Sequence, residues 1–185
     1  MAKILMIVGS LRKNSFNRQL ANIISDLISN RAQTSFLEYA DIPYLNQDIE
    51  FPTPDPILRI RNKVNESDGI WIVTPEYNHC IPGVLKNLLD WLSRPVEKGG
   101  VPVVINKPVT FCGVAGMSGS ACVQDQMLFL LNFMRMNVIK TPRTCVALQP
   151  QEMGKEKLNL SENSLNTAKA QVDAFLKALE KNDVV

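Results

Sequence analysis

Short apolar runs alternate with amphipathic segments along this chain, and that alternation limits the possible fold more than any other feature. Five consecutive apolar residues, Ile4 to Val8, stop at Gly9, and an amphipathic pattern follows over residues 15–29. An apolar run of this length, bounded by glycine, is typical of a strand that is buried on both faces. This order predicts the first strand and helix of a parallel sheet covered by helices.

The same alternation continues along the rest of the chain. The further predicted strands are residues 34–39, 70–73, 109–115 and 144–148, with a short extended piece at 101–105. The further predicted helices are residues 55–66, 84–93, 121–136 and 161–181, the last with Ser161 as its N-cap. The order predicts an α/β fold: a doubly wound, five-stranded parallel sheet with helices on both faces, formed by one domain over residues 1–185.

The composition argues against two classes of partner. Of the 185 residues, 45% are hydrophobic and 21% are charged, and the net charge is +2 without a basic cluster. Such a balance creates no strong field for nucleic acid or an anionic membrane. The opening apolar run is too short for a signal peptide, and no run approaches the roughly 18 apolar residues of a membrane span. We therefore expect a cytoplasmic protein with no nucleic-acid or membrane partner.

The cysteines and the single histidine predict no metal site. Cys80, Cys112, Cys122 and Cys145 are scattered without C-x-x-C spacing, and His79 cannot complete a usual Cys/His ligand set. We expect free thiols that are buried or partly buried, in reducing surroundings. His79 is expected to have a surface or interface role rather than to act as a catalytic acid.

Residues 9–17 have the composition of a phosphate-binding loop. Ser10 and Ser15 supply hydroxyls, Arg12 supplies a guanidinium group, and Asn17 supplies an amide. A helix that begins near Ser15 also directs unpaired backbone N–H groups at the same place. These donors suit a terminal monophosphate. The alternative is an ordinary turn between a strand and a helix, in which one of the polar residues is only the N-cap.

Two better-known phosphate loops are excluded by their residues. The P-loop, G-x-x-x-x-G-K-[ST], requires Gly-Lys where this chain has Ser15-Phe16. The dinucleotide fingerprint G-x-G-x-x-G keeps only its first glycine here.

The predicted topology places the loop of residues 9–17 at a binding site. In an open sheet of strand order 2-1-3-4-5, ligands bind outside the carboxyl ends of the strands, between the first and third. The loops at residues 9–17, 75–78 and 116–120 are therefore expected to meet there.

Two motifs of the chain resemble those of the NAD(P)H-dependent FMN reductase family, which includes quinone, azo-dye and chromate reductases. The less specific motif is GSLRxxSxN at residues 9–17, and the highly specific one is TPEYNxxxPGxLKNxxDWLSR at residues 74–94. The resemblance spans about residues 3–150 and implies a flavodoxin-like fold.

The resemblance also implies which residues bind FMN. Those implied for the phosphate are Ser10, Arg12, Ser15, Phe16 and Asn17. Those implied along the isoalloxazine edge are Pro75, Glu76, Tyr77 and Asn78, and those approaching the ring from the fourth strand are Gly116, Met117, Ser118 and Gly119. A proline-bounded loop offers backbone groups at fixed positions, and glycine permits close approach.

Bound FMN implies an oxidoreductase whose cofactor carries the chemistry. NADPH or NADH is expected as the co-substrate, and a quinone, flavin, azo compound or chromate as the small acceptor, in a ping-pong sequence. No nucleophile elbow or His paired with a carboxylate is evident, so no catalytic side chain is predicted. Arg12, Lys13 and Lys107 are candidate contacts for an NADPH 2′-phosphate.

Two alternatives to the enzyme stay open at this point. The first is a flavodoxin-type electron carrier without pyridine-nucleotide turnover, although such carriers tend to be acidic and this chain has a pI near 8.3. The second is a non-catalytic interaction protein that docks through apolar helices.

The third and fourth predicted helices are apolar nearly all round. The fourth contains MLFLLNFM at residues 127–134, and the third has apolar residues at Val84, Leu85, Leu88, Leu89, Trp91 and Leu92. Because one face of each helix covers the sheet, the other face also needs cover. We expect a homodimer, or a tetramer, through these two helices, as the resemblance also implies. The alternative is that the C-terminal helix covers them within one chain.

Overall fold

Parallel strands form the centre of the computed structural model, which describes residues 1–182 of the chain. The strands are β1 Lys3–Val8, β2 Gln33–Phe36, β3 Gly69–Val73, β4 Pro108–Ala115, β5 Asn137–Val138 and β6 Cys145–Ala147. The helices are α1 Phe16–Ile28, α2 Asp55–Asn65, α3 Gly83–Leu92, α4 Ala121–Phe133 and α5 Glu162–Asn182. Ser161 caps α5 as predicted, since its hydroxyl accepts a hydrogen bond from Ser164 N at 3.1 Å.

The strand order is β2-β1-β3-β4, with the fifth position shared by two short strands. β5 pairs with the start of β4 at Pro108 and Val109, whereas β6 pairs with its end, from Gly113 to Ala115. The predicted flavodoxin-like order 2-1-3-4-5 is confirmed. The strand predicted at residues 144–148 is β6, whereas β5 is not among the predicted strands.

Side chains replace the sheet ladder between β5 and β6. The Thr110 hydroxyl donates to the Ile139 carbonyl at 3.0 Å. One turn of α5 then supplies Gln171, whose amide accepts from Thr144 N and donates to Phe111 O, both at 2.9 Å. Buried backbone groups need such partners, so the fifth strand can be interrupted without leaving them unpaired.

Three other predicted elements differ from the structure. Strand β2 spans Gln33–Phe36 rather than residues 34–39. Residues 103–106 form turns in place of the extended piece predicted at 101–105, because Ile105 N donates to Pro102 O and Lys107 N donates to Val104 O. Helix α4 ends at Phe133 rather than at residue 136. Arg135 follows with a φ of 60°, a left-handed conformation that a helix cannot continue.

The helices form one layer on each face of the sheet. Helices α1 and α5 pack on one face, where Trp71 and Phe175 meet edge to face with ring centroids 5.3 Å apart. Helices α2, α3 and α4 pack on the other face, around Ile72 and Phe111. Helix α5 therefore lies on the opposite face from α3 and α4, and does not provide the cover that the single-chain alternative requires.

The prediction that apolar side chains remain uncovered within one chain is wrong for α3 and correct for α4. Five of the six apolar α3 residues are buried within the chain, and only Val84, which is 36% exposed, faces outward. These five residues belong to one core cluster with residues of α2 and α4, and Ile42 and Leu45 of the preceding loop pack against it. On α4, Phe129 and Phe133 are each 79% exposed.

The four cysteines are free, as predicted, but three of them are not buried. Cys112 is buried in β4, whereas Cys80, Cys122 and Cys145 are exposed. Cys80 lies in the hairpin after β3, Cys122 in the first turn of α4, and Cys145 at the start of β6. Apolar neighbours in the sequence do not bury a side chain at such positions. Within residues 1–182, no helix combines the length and apolar character needed to cross a membrane.

Candidate functional site

The carboxyl ends of β1, β3 and β4 meet around one buried residue, Thr74. Val8 and Val73 are register partners, so the chain leaves β1 and β3 side by side, and Gly9 N donates to Val73 O at 2.8 Å. A Cβ on Gly9 would overlap the Thr74 hydroxyl, and a Cβ on Gly113 would overlap the Thr74 carbonyl. Glycine is therefore required on both sides of Thr74.

The predicted phosphate loop forms a compact turn that ends in the N-cap of α1. Ser15 N donates to Arg12 O at 3.1 Å, and the Ser15 hydroxyl accepts from Asn17 N at 3.2 Å. The Ser10 hydroxyl accepts from Arg12 N at 3.3 Å. The Arg12 side chain is exposed beside this turn. A hydroxyl pair, a guanidinium group and a helix N-terminus thus come together, as an anion site requires.

Two residues of the same segment lie in the protein interior. The Asn17 side chain is buried and bonds the backbone of β4, donating to Val114 O and accepting from Val114 N, both at 2.9 Å. The Phe16 ring is also buried and belongs to the core between the sheet and the α1–α5 layer. These side chains hold α1 against the sheet rather than facing the loop's open side.

A cleft of about 260 Å³ lies beside the phosphate loop, between the ends of β1 and β2. It is lined by Arg12, Lys13 and Arg18, the last of which pairs with Glu38 at 3.0 Å. The Tyr39 hydroxyl at its base donates to Val8 O at 2.6 Å. Burial raises the pKa of Tyr39, so that the hydroxyl keeps its proton. No role is predicted from the sequence for Tyr39, which carries no motif signal, or for Thr74, although Thr74 is the first residue of the motif at residues 74–94.

The segment after β3 forms a tight hairpin. Tyr77 N donates to Cys80 O at 3.3 Å and Cys80 N donates to Tyr77 O at 3.0 Å, which leaves Asn78 and His79 at the tip. Both tip residues have positive φ, 53° and 59°, as in the turns that close two-residue hairpins. The hairpin follows buried Pro75 and leaves Tyr77 51% exposed.

Glu76 connects this hairpin to the segment after β4. Its carboxylate accepts from the Ser118 hydroxyl at 2.7 Å and from Val123 N at 3.0 Å, and it lies 2.9 Å from His79 Nδ1. Although burial opposes ionisation, the bonds from Ser118, Val123 and His79 lower the pKa of Glu76. The chain thus does contain a histidine paired with a carboxylate, contrary to the prediction. The pairing depends on the hairpin turn, which brings the two side chains together.

The turn at residues 116–119 completes this edge of the sheet. Gly119 has a φ of 58°, and a Cβ there would approach Ala147 N of β6 to 3.0 Å. Gly116 precedes Met117, which is 84% exposed. An exposed Met117 and a half-exposed Tyr77 therefore lie on the same edge as the turn of residues 9–17, an arrangement suited to a flat group that carries a phosphate.

Comparison with known proteins gives a family match and several reductases as relatives. The family model described as NADPH-dependent FMN reductase matches residues 2–150. A 2-hydroxy-1,4-benzoquinone reductase from a Burkholderia species is 39% identical over 126 residues, 68% of this chain and 67% of that protein. A quinone reductase of Escherichia coli K12 is 36% identical over 142 residues, 73% of each chain.

A solved structure agrees with the fold. FerB, a flavoenzyme NAD(P)H:(acceptor) oxidoreductase from Paracoccus denitrificans, superimposes with a TM-score of 0.85 at 28% sequence identity, over 98% of each chain. The family match covers the three strand exits that meet at Thr74, together with the helices that begin beside them. On fold, site geometry and sequence together, the chain belongs to the NADPH-dependent FMN reductase family of oxidoreductases.

Proposed function

We propose that this protein binds FMN where the three strand exits meet, and that it reduces a small acceptor with electrons from NADPH or NADH. The observation that carries the proposal is the juxtaposition of the capped turn of residues 9–17 and the hairpin after β3, held together at Gly9 and Thr74. When bound, FMN supplies hydride chemistry between a reduced nicotinamide and an acceptor.

The residues divide into those that touch the cofactor and those that support them. Ser10, Arg12, Ser15 and the first N–H groups of α1 bind the phosphate, which takes several charge-assisted hydrogen bonds. Phe16 and Asn17 act indirectly, by fixing α1 to the core and to β4. The residues proposed to lie along the ring are Pro75, Tyr77, Asn78, Gly116, Met117 and Gly119, with Glu76 and Ser118 bonding the two segments together.

The acceptor and the co-substrate follow from the same site. Because relatives are named quinone reductases, we take a quinone as the leading acceptor. The proposed location is the cytoplasm, as expected from the sequence. Arg12 and Lys13 line the basic cleft and are the proposed contacts of an NADPH 2′-phosphate. Lys107 is excluded from that role, since its amino group donates to Ser67 O at 2.6 Å at the opposite, amino-terminal edge of the sheet.

The outer face of α4 is the proposed interface of a homodimer. Phe129 and Phe133 lie one turn apart and are both strongly exposed, and Val84 of α3 adds a smaller apolar contribution. Two aromatic rings at this spacing form one continuous patch. A two-fold axis would bring two such patches together and cover both.

The function is tested by spectroscopy followed by kinetics. Purified protein loaded with FMN is mixed with NADPH without oxygen, and the flavin band is expected to bleach within seconds. Steady-state rates with a quinone are then expected to give parallel double-reciprocal lines. A flavin band that does not bleach would favour an electron carrier, and failure to bind FMN would favour a non-catalytic interaction protein.

A further inference from the structure

Three side chains of metal-ligating type meet at the edge of the site, although the sequence alone predicts no metal site. Glu76, His79 and Cys122 each offer one ligand atom, and these atoms lie within 4.8 Å of one another. We propose that they form a binding site for a thiophilic divalent cation of the Zn²⁺ class. The proposal goes beyond the proposed function and does not require that FMN be bound.

The carboxylate of Glu76 is held in place before any metal arrives. Its side chain is 3% exposed, and its two oxygens accept from the Ser118 hydroxyl and from Val123 N. Hydrogen bonds of this kind orient a ligating carboxylate and contribute to metal affinity. The ionised oxygen nearest His79 is thereby directed to the place where the imidazole ends, 2.9 Å away.

The backbone holds His79 close to α4. Its φ of 59° is a conformation that few residues other than glycine adopt. Gln126 Nε2 donates to His79 O at 2.6 Å, which ties the tip of the hairpin to the outer face of α4. The imidazole itself is 76% exposed, so that its ring can turn toward an ion.

Cys122 supplies the third ligand from the first turn of α4. It is exposed, and it lies four residues before Gln126. Residues at this spacing share one side of a helix, so the thiol lies on the side against which Gln126 holds His79. A cysteine thiol loses its proton when it binds a metal ion.

Charge and geometry both fit a tetrahedral ion. One carboxylate and one thiolate balance a charge of +2, and a neutral imidazole adds none. Zinc distances of about 2.0–2.3 Å place the ligand atoms roughly 3.3–3.7 Å apart. Since no two of the three atoms are more than 4.8 Å apart, each separation must close by at most about 1.5 Å. Rotation of the exposed His79 and Cys122 side chains provides that movement. Nitrogen and sulfur ligands discriminate against Mg²⁺ and Ca²⁺.

Binding releases a proton and transfers no electrons. The S–H bond of Cys122 breaks, a sulfur–zinc bond forms, and the proton passes to the buffer. A water molecule fills the fourth position. The amount of heat released on titration therefore depends on the ionisation enthalpy of the buffer, which gives a readout independent of turnover.

Calorimetric titration of the purified protein with ZnCl₂ tests the site. We expect one Zn²⁺ to bind per chain. The heat of binding is expected to differ between two buffers of different ionisation enthalpy, which reports the released proton. Cys122→Ser and His79→Gln are each expected to raise the Kd at least tenfold, whereas Cys80→Ser and Cys145→Ser, which remove other exposed thiols, leave it unchanged. Absence of stoichiometric binding, or binding that survives both ligand substitutions, would overturn the proposal.

Thiol labelling gives a second measurement. In a Cys80→Ser/Cys145→Ser protein the remaining thiols are Cys122 and Cys112, and burial raises the pKa of Cys112 to about 12, which makes it unreactive. Zn²⁺ is expected to slow labelling of Cys122 at least tenfold, chelator to restore it, and Mg²⁺ to have no effect. Labelling unchanged by Zn²⁺ would refute the site, while the flavin spectrum of the same sample reports separately on the proposed function.

Discussion

Thr74 determines how closely three strand exits approach one another. It is fully buried and its hydroxyl donates to the carbonyl of the following Pro75 at 2.9 Å. Because its side chain and carbonyl occupy the space that a Cβ on Gly9 or Gly113 would need, two glycines and one threonine define the distance between the phosphate turn and the hairpin. Substitution at these positions acts on the site through packing rather than through direct contact.

Replacement of Gly9 by alanine is expected to lower the free energy of unfolding by about 1–3 kcal/mol, because the new methyl group would overlap Thr74 in a packed interior. Urea unfolding measures the change. Gly83→Ala is the control: a Cβ there meets nothing within 4 Å, and alanine at this helical position is expected to be neutral or to stabilise by about 0.5–1 kcal/mol. Equal effects of the two substitutions would contradict the packing argument.

Arg12→Ala is expected to weaken FMN binding by about 10- to 100-fold, as loss of a charge-assisted bond of about 1.5–3 kcal/mol implies. Fluorescence titration with riboflavin, which has no phosphate, is expected to show no change for the same variant. Lys107→Ala removes a cation at the other edge of the sheet and should leave FMN affinity as it is. A parallel loss of riboflavin affinity would mean that Arg12 does not act on the phosphate.

Helix α1 is attached to the sheet by hydrogen bonds as well as by apolar contacts. The Asn17 amide pairs with the backbone of Val114 in the way that a neighbouring strand would. On the other face of the sheet, Glu76 connects the hairpin after β3 to α4. Single polar side chains thus fix the relative positions of whole elements, and their removal leaves buried partners unpaired.

Asn17→Leu keeps the number and branching of the side-chain heavy atoms but leaves Val114 N–H and C=O without partners. We expect a loss of about 2–4 kcal/mol in the free energy of unfolding, since each unsatisfied buried group costs about 1–3 kcal/mol. Denaturant unfolding measures it. The matched substitution Asn22→Leu, on the exposed side of α1, should change stability by less than about 0.5 kcal/mol. A comparable loss for both variants would indicate that the bonds to Val114 contribute little.

Glu76→Gln is expected to destabilise the protein at pH 7 and to make its stability less sensitive to acid. The pKa of Glu76 is lowered in the folded state, so its ionised form stabilises the fold above the unfolded-state pKa of about 4.3. That contribution disappears as the pH falls through the folded-state pKa.

Unfolding free energies in chelating buffer from pH 7 to pH 3 measure this effect. The difference between wild type and Glu76→Gln should stay constant down to about pH 4.3 and narrow below it. Glu156→Gln alters an exposed carboxylate and serves as the control. A difference that does not change with pH would show that ionisation of Glu76 does not stabilise the fold.

On the scale of the whole molecule, the two layers are covered unequally. Helix α5 packs beside α1 on one face, whereas the outer side of α4 leaves Phe129 and Phe133 open on the other. Exposed aromatic residues on one helical stripe are characteristic of interaction surfaces. The candidate site lies at the end of the sheet next to this face, so the proposed dimer would enclose the hairpin more fully.

Phe129→Glu/Phe133→Glu is expected to convert a dimer to a monomer, because paired patches would then bring four carboxylates together. Sedimentation velocity at micromolar concentration measures the state. Ala170→Glu adds a charge on exposed α5 and should leave the dimer intact. A wild-type protein that sediments as a monomer would remove the dimer from the proposed function.

Most of the strand exits could be predicted because they are local in sequence. Gly9, Ser15 and the proline-bounded segment after β3 each carry a turn or capping signal in their own residues. The split of the fifth strand could not be predicted in this way, because Gln171 comes from a distant helix and no short-range pattern indicates its role. The inward position of Asn17 likewise depends on Val114, 97 residues away.

The sequence by itself determined the parallel α/β order and the family, and it placed the candidate site at the carboxyl edge, since apolar periodicity and contiguous motifs depend only on neighbouring residues. The tertiary structure alone decided which side chains meet. Burial of α3, the pairing of His79 with Glu76 and the approach of Cys122 all depend on how elements far apart in the chain pack. Packing is a property of the whole chain, because each contact requires that every intervening element already be in position.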